Sequence, residues 1–169
     1  TTSAAARFDN TPADNRTTND GALLGRVLFY DTRLSVNGAV SCGSCHVQSH
    51  GFADPNRFSR GFDGRFTDRH AMNLVNLRFH PRGRFFWDER GPSLEEMVLM
   101  PVRNHLEMGQ DPAKLPAILA REAWYQDLFR QAFPDETITQ ARVSLALAQF
   151  LSRRRAADPR RYRPAAAGV

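Results

Sequence analysis

The sequence has few cysteines, no long apolar run and no internal repeat. Of its 169 residues, two are cysteine, so a framework of several disulfide bonds is excluded. No apolar stretch approaches the roughly 20 residues that a helix needs to cross a bilayer, and we expect no membrane-spanning segment. No strand pattern is present either, and the length is typical of one domain. The chain therefore has room for a single domain with a modest hydrophobic core.

The positive charge is concentrated near the end of the chain. The formal net charge is +5. Six arginines contribute to it: Arg153, Arg154, Arg155, Arg160, Arg161 and Arg163. Nucleic-acid binding is one interpretation of such a cluster, but no recognition motif accompanies it, and we expect no nucleic-acid partner. The cluster favours a solvated helix end, or a docking surface for an acidic redox partner or another domain.

One short motif carries the clearest chemistry. Cys42-Gly43-Ser44-Cys45-His46 is a C-x-x-C-H run, the attachment sequence of a c-type haem. In a helical turn, cysteines three residues apart bring two sulfurs to one edge of a flat macrocycle, where they form thioethers with its vinyl groups. The next histidine is then aimed at the iron and supplies an axial nitrogen. The motif predicts one covalently bound haem c, held by Cys42, Cys45 and His46.

Three other interpretations of this motif remain open. A thioredoxin-type dithiol needs a strand–helix–strand context, and the flanking residues are not strand-like. A zinc site could combine Cys42, Cys45, His46 and His50, although structural zinc usually takes its ligands from two separated pairs. A disulfide between the two cysteines is compatible with their spacing but gives no reason for His46.

The haem motif also predicts a cellular location. The first six residues, Thr1 to Ala6, lack the basic start and the apolar stretch of a signal peptide. Because haem c is attached outside the cytoplasm in bacteria, we expect a mature, processed chain. Its expected location is the periplasm or another extracytoplasmic compartment.

The pattern of apolar residues predicts a haem domain over residues 20–153. Residues 1–19 are polar and are expected to be extended. The first helix covers residues 20–30 and is capped by Asn19 or Asp20. Its apolar stripe consists of Leu23, Leu24, Val27 and Leu28.

Residues 49–92 are rich in glycine and aromatic residues and have no long helical or alternating pattern. A stretch of this kind needs a large surface to pack on. Either a haem face or an aromatic core under a long loop would serve. We expect a long irregular insertion between the helices of the haem domain.

Short helices follow this stretch. Ser93 and Glu96 form a capping box, which predicts a short helix that ends before Pro101. Asp111 and Pro112 are expected to begin another helix.

Two further helices complete the prediction. The first covers Ala123–Ala132, with Trp124, Leu128 and Phe129 facing inward. Thr137 and Gln140 form a capping box at the start of the last helix, which runs to about Arg153. Its predicted buried residues are Val143, Leu147, Phe150 and Leu151. Together these elements predict an all-α, cytochrome c-like domain wrapped around one haem, followed by a basic segment over residues 154–169.

Several longer runs form a recognisable set. They are LGRVLFYD at 24–31, SCGSCH at 41–46, GFAD at 51–54, FWDER at 86–90, SLEE at 93–96 and EMG at 107–109. From about Asp9 to its end, the chain resembles the N-terminal domain of the bacterial di-haem cytochrome c peroxidases and the related MauG-type enzymes. In that family this domain holds the haem at which hydrogen peroxide binds.

The resemblance implies roles for individual residues. His46 would be the proximal ligand of the haem iron. Glu107 matches a distal carboxylate that transfers a proton during cleavage of the peroxide bond, a task that suits a well-placed general acid and base. Trp87 matches a tryptophan between the two haems, where it would relay electrons. Pro101 matches a proline over the distal face.

The chain departs from the family pattern on the distal side of the haem. Met97 stands where the family usually has glutamine. Because methionine is a haem ligand in electron-transfer cytochromes, Met97 is a candidate distal ligand. The other interpretation, which we favour, is that Met97 fills the pocket.

Two further departures concern histidines and calcium. The classical peroxidases of the family carry a second histidine that binds the iron and can be released. The corresponding position in this chain falls near Phe62, so the chain lacks this histidine. We therefore expect the iron to stay five-coordinate and open to peroxide. The family's calcium site between the haems takes an asparagine that aligns with His70. Calcium prefers oxygen ligands, so calcium is the less favoured cofactor of this chain. His70 is otherwise a surface or core histidine.

The family continues into a second haem domain, whereas this chain ends at Val169, where residues 162–168 resemble the link between the two domains. Either the second haem lies on a missing part or another chain, or the protein works with one haem. We expect a peroxide-reducing domain that receives electrons from a partner haem or from a small cytochrome or cupredoxin. The alternative is a mono-haem electron carrier, with Met97, Met100, Met108 or His70 as the sixth ligand, or a haem subunit of a larger redox assembly.

Overall fold

Every regular element in the described part of the chain is helical. The computed structural model describes residues 9–135 and 137–154. Its α-helices are α1 (Asn19–Tyr30), α2 (Cys42–Cys45), α3 (Leu94–Met97), α4 (Met100–Arg103), α5 (Leu115–Leu119), α6 (Ala123–Ala132) and α7 (Gln140–Ser152). Strand-like pairing within these residues is limited to three isolated bridges, which confirms the all-α prediction. None of the described helices is long and apolar enough to span a membrane.

The long first and last helices pack directly against each other. Gly25 lies at their contact, where a Cβ atom would come within 1.9 Å of the carbonyl oxygen of Ala146. Only glycine permits such a close approach of two backbones. Leu24 and Leu28 of α1 and Leu147 of α7 bury their side chains nearby, each at most 1% exposed. Burial of one such side chain contributes about 2 kcal/mol.

The predicted inward faces of these two helices are confirmed with one exception. All four residues expected inside on α7 are buried: Val143, Leu147, Phe150 and Leu151. On α1, Leu24 and Leu28 are buried and Val27 is half-buried against the core. The prediction for Leu23 is wrong, because its side chain is 49% exposed. The face of α1 that contacts α7 is narrower than the apolar stripe in the sequence.

The inward face of α6 differs from its prediction at one position, and the predicted Leu128 packs partly buried against the core. Phe129 is fully buried as expected, but Trp124 is 40% exposed and Tyr125 is the buried aromatic residue. The Tyr125 hydroxyl donates a hydrogen bond of 2.5 Å to the Asp31 carboxylate at the end of α1. Trp124 stacks over the Tyr125 ring with 3.9 Å between centroids. A polar contact therefore decides which aromatic residue faces the core, and apolar periodicity cannot reveal it.

The helix caps of α1 and α7 also differ from their predictions. Thr18, and neither Asn19 nor Asp20, caps α1 by accepting a hydrogen bond of 3.0 Å from an amide in the first turn. Thr139, and not Thr137, caps α7 in the same way at 3.2 Å. In both cases a threonine with extended backbone stands directly before the first helical residue, as an N-cap must.

The segment after Ser93 forms two short helices where the sequence predicted one. The Ser93 hydroxyl caps α3 by accepting from the Glu96 amide at 3.2 Å, which confirms the cap. α3 ends at Met97, before Pro101 as predicted, and Pro101 lies in the first turn of the second helix, α4. Proline is tolerated there because the first amides of a helix have no intrahelical partner. Asp111 begins a 3₁₀ turn, Pro112–Lys114, that leads into α5.

Residues 49–92 are irregular, as predicted. Their helical content is the end of one short 3₁₀ turn, Gln48–His50, and a second turn, Leu77–Phe79. Four non-glycine residues of this stretch have positive φ angles: Phe52, Asn76, Phe86 and Glu89. Of the predicted N-terminal segment, residues 9–18 form no helix or strand and contain a turn at 13–14, and Asn19 already begins α1. Residues 1–8, and all of the predicted segment 154–169 except residue 154, lie outside the described residues.

A buried ion pair ties the irregular stretch to the helices. The guanidinium of Arg78, only 3% exposed, pairs with the carboxylate of Glu95 on α3. Asn15 donates to the same carboxylate at 2.7 Å, and Arg78 donates to the hydroxyl of Ser152 on α7 at 2.7 Å. Burial raises the pKa of Glu95, but the hydrogen bonds from Arg78 and Asn15 outweigh it and hold the pKa below its ordinary value.

We predict that Glu95→Gln lowers the free energy of unfolding by about 3 kcal/mol, because it leaves the buried Arg78 cation without its counter-charge. Since folding depresses the Glu95 pKa, the wild-type contribution is complete above the ordinary carboxyl pKa and is lost as the pH falls through the lowered value. Urea unfolding at several pH values measures both effects. Glu96→Gln, on the exposed side of the same helix, is the matched control and should change stability little. Equal stabilities of the two variants at neutral pH would contradict the assignment.

Candidate functional site

The one-turn helix α2 presents the C-x-x-C-H motif. Its start is fixed because the Ser44 hydroxyl accepts from the Ser41 amide at 3.0 Å. Its end is fixed by the hydrogen bond from the His46 amide to the Cys42 carbonyl, at 2.9 Å. Cys42 and Cys45 are free thiols, so they form no disulfide with each other. Both thiols and the His46 imidazole line the same cleft.

This cleft is almost entirely apolar. It encloses about 560 Å³ of space, part of it open to solvent. Its apolar lining comes from α1, α3, α4, α7 and the loops between them: Phe29, Val40, Leu74, Met97, Val98, Pro101, Met108, Leu147 and Leu151. Glu107 is the one carboxylate among its lining residues. The cleft thus brings the three residues predicted to hold the haem, which are Cys42, Cys45 and His46, together with the predicted distal residues. These distal residues are Met97, Pro101 and Glu107.

The imidazole of His46 is oriented by a backbone carbonyl. Its Nδ1 lies 2.8 Å from the carbonyl oxygen of Phe52. Because a carbonyl can only accept, Nδ1 carries the hydrogen and Nε2 keeps a lone pair for a metal ion. Burial lowers the pKa of His46 against the opposing hydrogen bonds with the backbone of Phe52 and Met72, which favours the neutral form that a ligand requires.

The carboxyl group of Glu107 is half-buried and accepts one side-chain hydrogen bond. The side-chain amide of Asn104 donates a hydrogen bond of 2.9 Å to its Oε1. Burial raises the pKa of Glu107 above its ordinary value, although the nearby Arg90 guanidinium and the Asn104 hydrogen bond oppose the rise. A carboxyl with a raised pKa and one oxygen without a protein partner is suited to accept and return a proton.

A second cleft, open and polar, adjoins the first. Cys45 and Glu107 line both, and the second encloses about 920 Å³. Trp87 stands at this cleft with 64% of its surface exposed. Its indole nitrogen donates to the carbonyl of His70 at 3.0 Å. Trp87 therefore belongs to the rim of the polar cleft rather than to the apolar one.

The thiols are poorly suited to redox or zinc chemistry without a haem. Burial raises the pKa of Cys42 to about 12 and also raises that of Cys45, which disfavours the thiolate that a redox dithiol uses as its nucleophile. His50, the fourth member of the zinc alternative, is exposed and bonds to Ser49. Among the described residues, no group of three or more histidine, cysteine, aspartate or glutamate side chains could hold a metal ion. The geometry therefore contradicts the zinc alternative.

The same arrangement fits a covalently attached haem. Two thiols one helical turn apart, an imidazole with Nε2 available and an apolar cleft are the donor set and surroundings that the macrocycle requires. Of the candidate sixth ligands, Met97 and Met108 line the apolar cleft and Met100 does not. His70 lines the polar cleft, and its Nε2 already bonds to the Asp54 carbonyl at 2.9 Å.

Sequence reasoning missed three residues of the site. Phe52 orients His46 through its backbone, which leaves no signature in residue type. Asn104 precedes Glu107 by three residues, a spacing that suggests a side-chain contact in a helical turn. Arg90 lies in the motif that contributed Trp87, but only the folded chain places it near Glu107.

Comparison with known protein families gives one match. The model of the family described as "Di-haem cytochrome c peroxidase" matches residues 19–162. Among curated proteins, methylamine utilization protein MauG of Methylophilus methylotrophus is 36% identical over 146 residues, covering 82% of this chain and 41% of the relative. Cytochrome c551 peroxidase of Nitrosomonas europaea is 33% identical over 131 residues, covering 78% of this chain and 39% of the relative. The chain thus spans about two fifths of the length of these relatives.

Solved structures show the same likeness. A MauG-like protein associated with microbial copper homeostasis superposes with a TM-score of 0.78 at 35% identity, covering 86% of this chain and 43% of that one. The dihaem peroxidase BthA from Burkholderia thailandensis superposes with a TM-score of 0.69 at 27% identity, covering 82% of this chain and 39% of that one.

Proposed function

The chain belongs to the di-haem cytochrome c peroxidase family, and on that premise we propose that it is a peroxide-reducing haem domain. The observation that carries the proposal is that Cys42, Cys45, His46 and Glu107 line one apolar cleft. The overall reaction takes one hydrogen peroxide, two electrons and two protons to two waters. The electrons come from a second haem domain or from a small cytochrome or cupredoxin donor.

One haem c is held in the apolar cleft. Cys42 and Cys45 would form its two thioether bonds, and His46 would bind its iron through Nε2. When bound, the haem would pass on the electrons that it receives from the donor and would offer the coordination position at which peroxide is reduced. The Phe52 carbonyl keeps His46 in the tautomer that this binding needs. Calcium has no assigned role in this proposal.

Glu107 handles the proton in the proposed mechanism. Cleavage of the peroxide bond to give water requires a proton to move from one peroxide oxygen to the oxygen that leaves. The Asn104 amide engages Oε1 of Glu107, so Oε2 is the oxygen that accepts and returns this proton. Burial raises the pKa of Glu107 toward neutral pH. A carboxyl whose pKa is closer to the pH of the reaction can both accept and return a proton efficiently.

The apolar residues around Glu107 exclude water from the reacting oxygen atoms. Pro101, Met97 and Met108 belong to this lining. In the proposal Met97 fills space and does not bind the metal, so the sixth position is left to peroxide.

Trp87 is proposed as the point of electron entry. Its exposed indole stands at the rim of the polar cleft, which adjoins the apolar one at Cys45 and Glu107. This position suits contact with a second haem domain or a separate donor. Because haem c is attached outside the cytoplasm, we place the protein in the periplasm or another extracytoplasmic compartment.

Covalent haem attachment is the first test. Expressed together with a cytochrome c maturation system, the wild-type chain is expected to gain the mass of one haem by mass spectrometry. The double variant Cys42→Ser, Cys45→Ser removes both sulfurs and should have the mass of the bare polypeptide. A colourless wild-type protein without added mass would end the proposal.

The role of Glu107 is tested by peroxide turnover. Glu107→Gln keeps the size of the side chain but cannot shuttle the proton, so turnover should fall roughly 100-fold or more while the haem content stays unchanged. Stopped-flow reduction of peroxide with a chemical electron donor measures the rate. Glu96→Gln serves as the carboxylate control. Wild-type turnover in Glu107→Gln would remove Glu107 from the mechanism.

The occupant of the sixth position is tested by optical and electron paramagnetic resonance spectra. We expect a high-spin ferric haem that binds cyanide rapidly, and a Met97→Leu variant with the same spectrum, because Met97 only fills the cleft. Met100→Leu, outside the cleft lining, is the control. A low-spin wild-type spectrum that becomes high-spin in Met97→Leu would instead identify an electron carrier with methionine bound to iron.

A further inference from the structure

His70 makes hydrogen bonds that connect two segments beside the proximal histidine. Its ring Nε2 donates to the carbonyl oxygen of Asp54 at 2.9 Å. Its own carbonyl accepts from the indole nitrogen of Trp87 at 3.0 Å. One residue further on, the Ala71 carbonyl accepts from the Asp54 amide at 3.4 Å. The side chain and backbone around His70 therefore hold Asp54 at both its amide and its carbonyl.

Asp54 stands two residues after Phe52, whose carbonyl orients His46. The segment from Phe52 to Asp54 is short and folds back on the residues that precede it. The Phe52 amide donates to the Val47 carbonyl at 2.9 Å, and the Val47 amide donates to the Ala53 carbonyl at 3.1 Å. A displacement of Asp54 would therefore be passed on to the carbonyl of Phe52.

Phe52 needs such support because its backbone is strained. Its φ angle is +61°, in the left-handed region that costs a residue with a side chain about 1–2 kcal/mol. Strained backbone of this kind persists only where surrounding contacts fix it, and it occurs often at functional sites. Here the strained conformation aims the carbonyl of Phe52 at Nδ1 of His46.

We propose that His70 is a positioning residue for the proximal haem ligand: its hydrogen bond to the Asp54 carbonyl holds the loop that presents the Phe52 carbonyl to His46. This inference rests on the proposed binding of haem by His46. A carbonyl held firmly against Nδ1–H makes the imidazole a stronger donor to the metal. Weakening that hydrogen bond therefore weakens the iron–imidazole bond and destabilises the ferric state relative to the ferrous state.

The experiment compares two substitutions of His70 in the haem-loaded chain. Leucine is of similar bulk but has no donor, whereas the side-chain amide of glutamine can still donate to the Asp54 carbonyl. Resonance Raman spectroscopy of the ferrous protein measures the iron–histidine stretching frequency, and a redox titration measures the midpoint potential. His50→Ala is the control, since His50 lies at the start of the same loop with its side chain exposed.

We expect His70→Leu to lower the iron–histidine stretching frequency and to raise the midpoint potential. His70→Gln and His50→Ala should stay close to the wild type in both readouts. A purely structural role of His70 would lower thermal stability in His70→Leu without moving the Raman band.

Two outcomes would overturn the inference in different ways. Unchanged Raman bands and potentials in His70→Leu would show that the Phe52 carbonyl is held without His70, and the proposed function would still stand. A ferrous wild-type protein that carries attached haem and is high-spin, but that shows no iron–histidine band, would remove His46 as the ligand and overturn both proposals.

Discussion

The whole site depends on one geometric constraint: two thiols and one imidazole must face the same apolar cleft. The single turn of α2 meets the constraint locally, because cysteines three residues apart point to the same side and His46 follows at once. The rest of the fold supplies the walls. The contact of α1 with α7 at Gly25 closes one side, and the short helices α3 and α4 carry Met97 and Pro101 to the cleft.

Burial in this cleft has opposite consequences for the groups that line it. It raises the pKa of both thiols, which disfavours the free thiolate that a reactive dithiol needs. It lowers the pKa of His46, so the imidazole is neutral and able to bind a metal. It raises the pKa of Glu107, which favours a carboxyl that can exchange a proton. One physical cause, the burial of these side chains, thus shifts the pKa of each titratable group named here.

The irregular stretch between the haem motif and α3 is connected to the rest of the fold by polar contacts. It is anchored by the buried pair of Arg78 with Glu95 and by the hydrogen bonds of His70. These contacts give a segment without regular helices a fixed conformation, including the strained backbone at Phe52.

The sequence alone determined the features that depend on neighbouring residues: the C-x-x-C-H turn, the bounds of α6, the Ser93 cap and the buried face of α7. It also identified the family, because several short runs occur together. Only the tertiary structure decided that Tyr125 rather than Trp124 is buried, since the deciding hydrogen bond to Asp31 joins residues far apart in the chain. It likewise decided that Phe52 orients His46 and that Asn104 engages Glu107. Residue type and periodicity encode local geometry and burial, whereas a backbone carbonyl or a distant polar partner acquires its role only when the chain has folded.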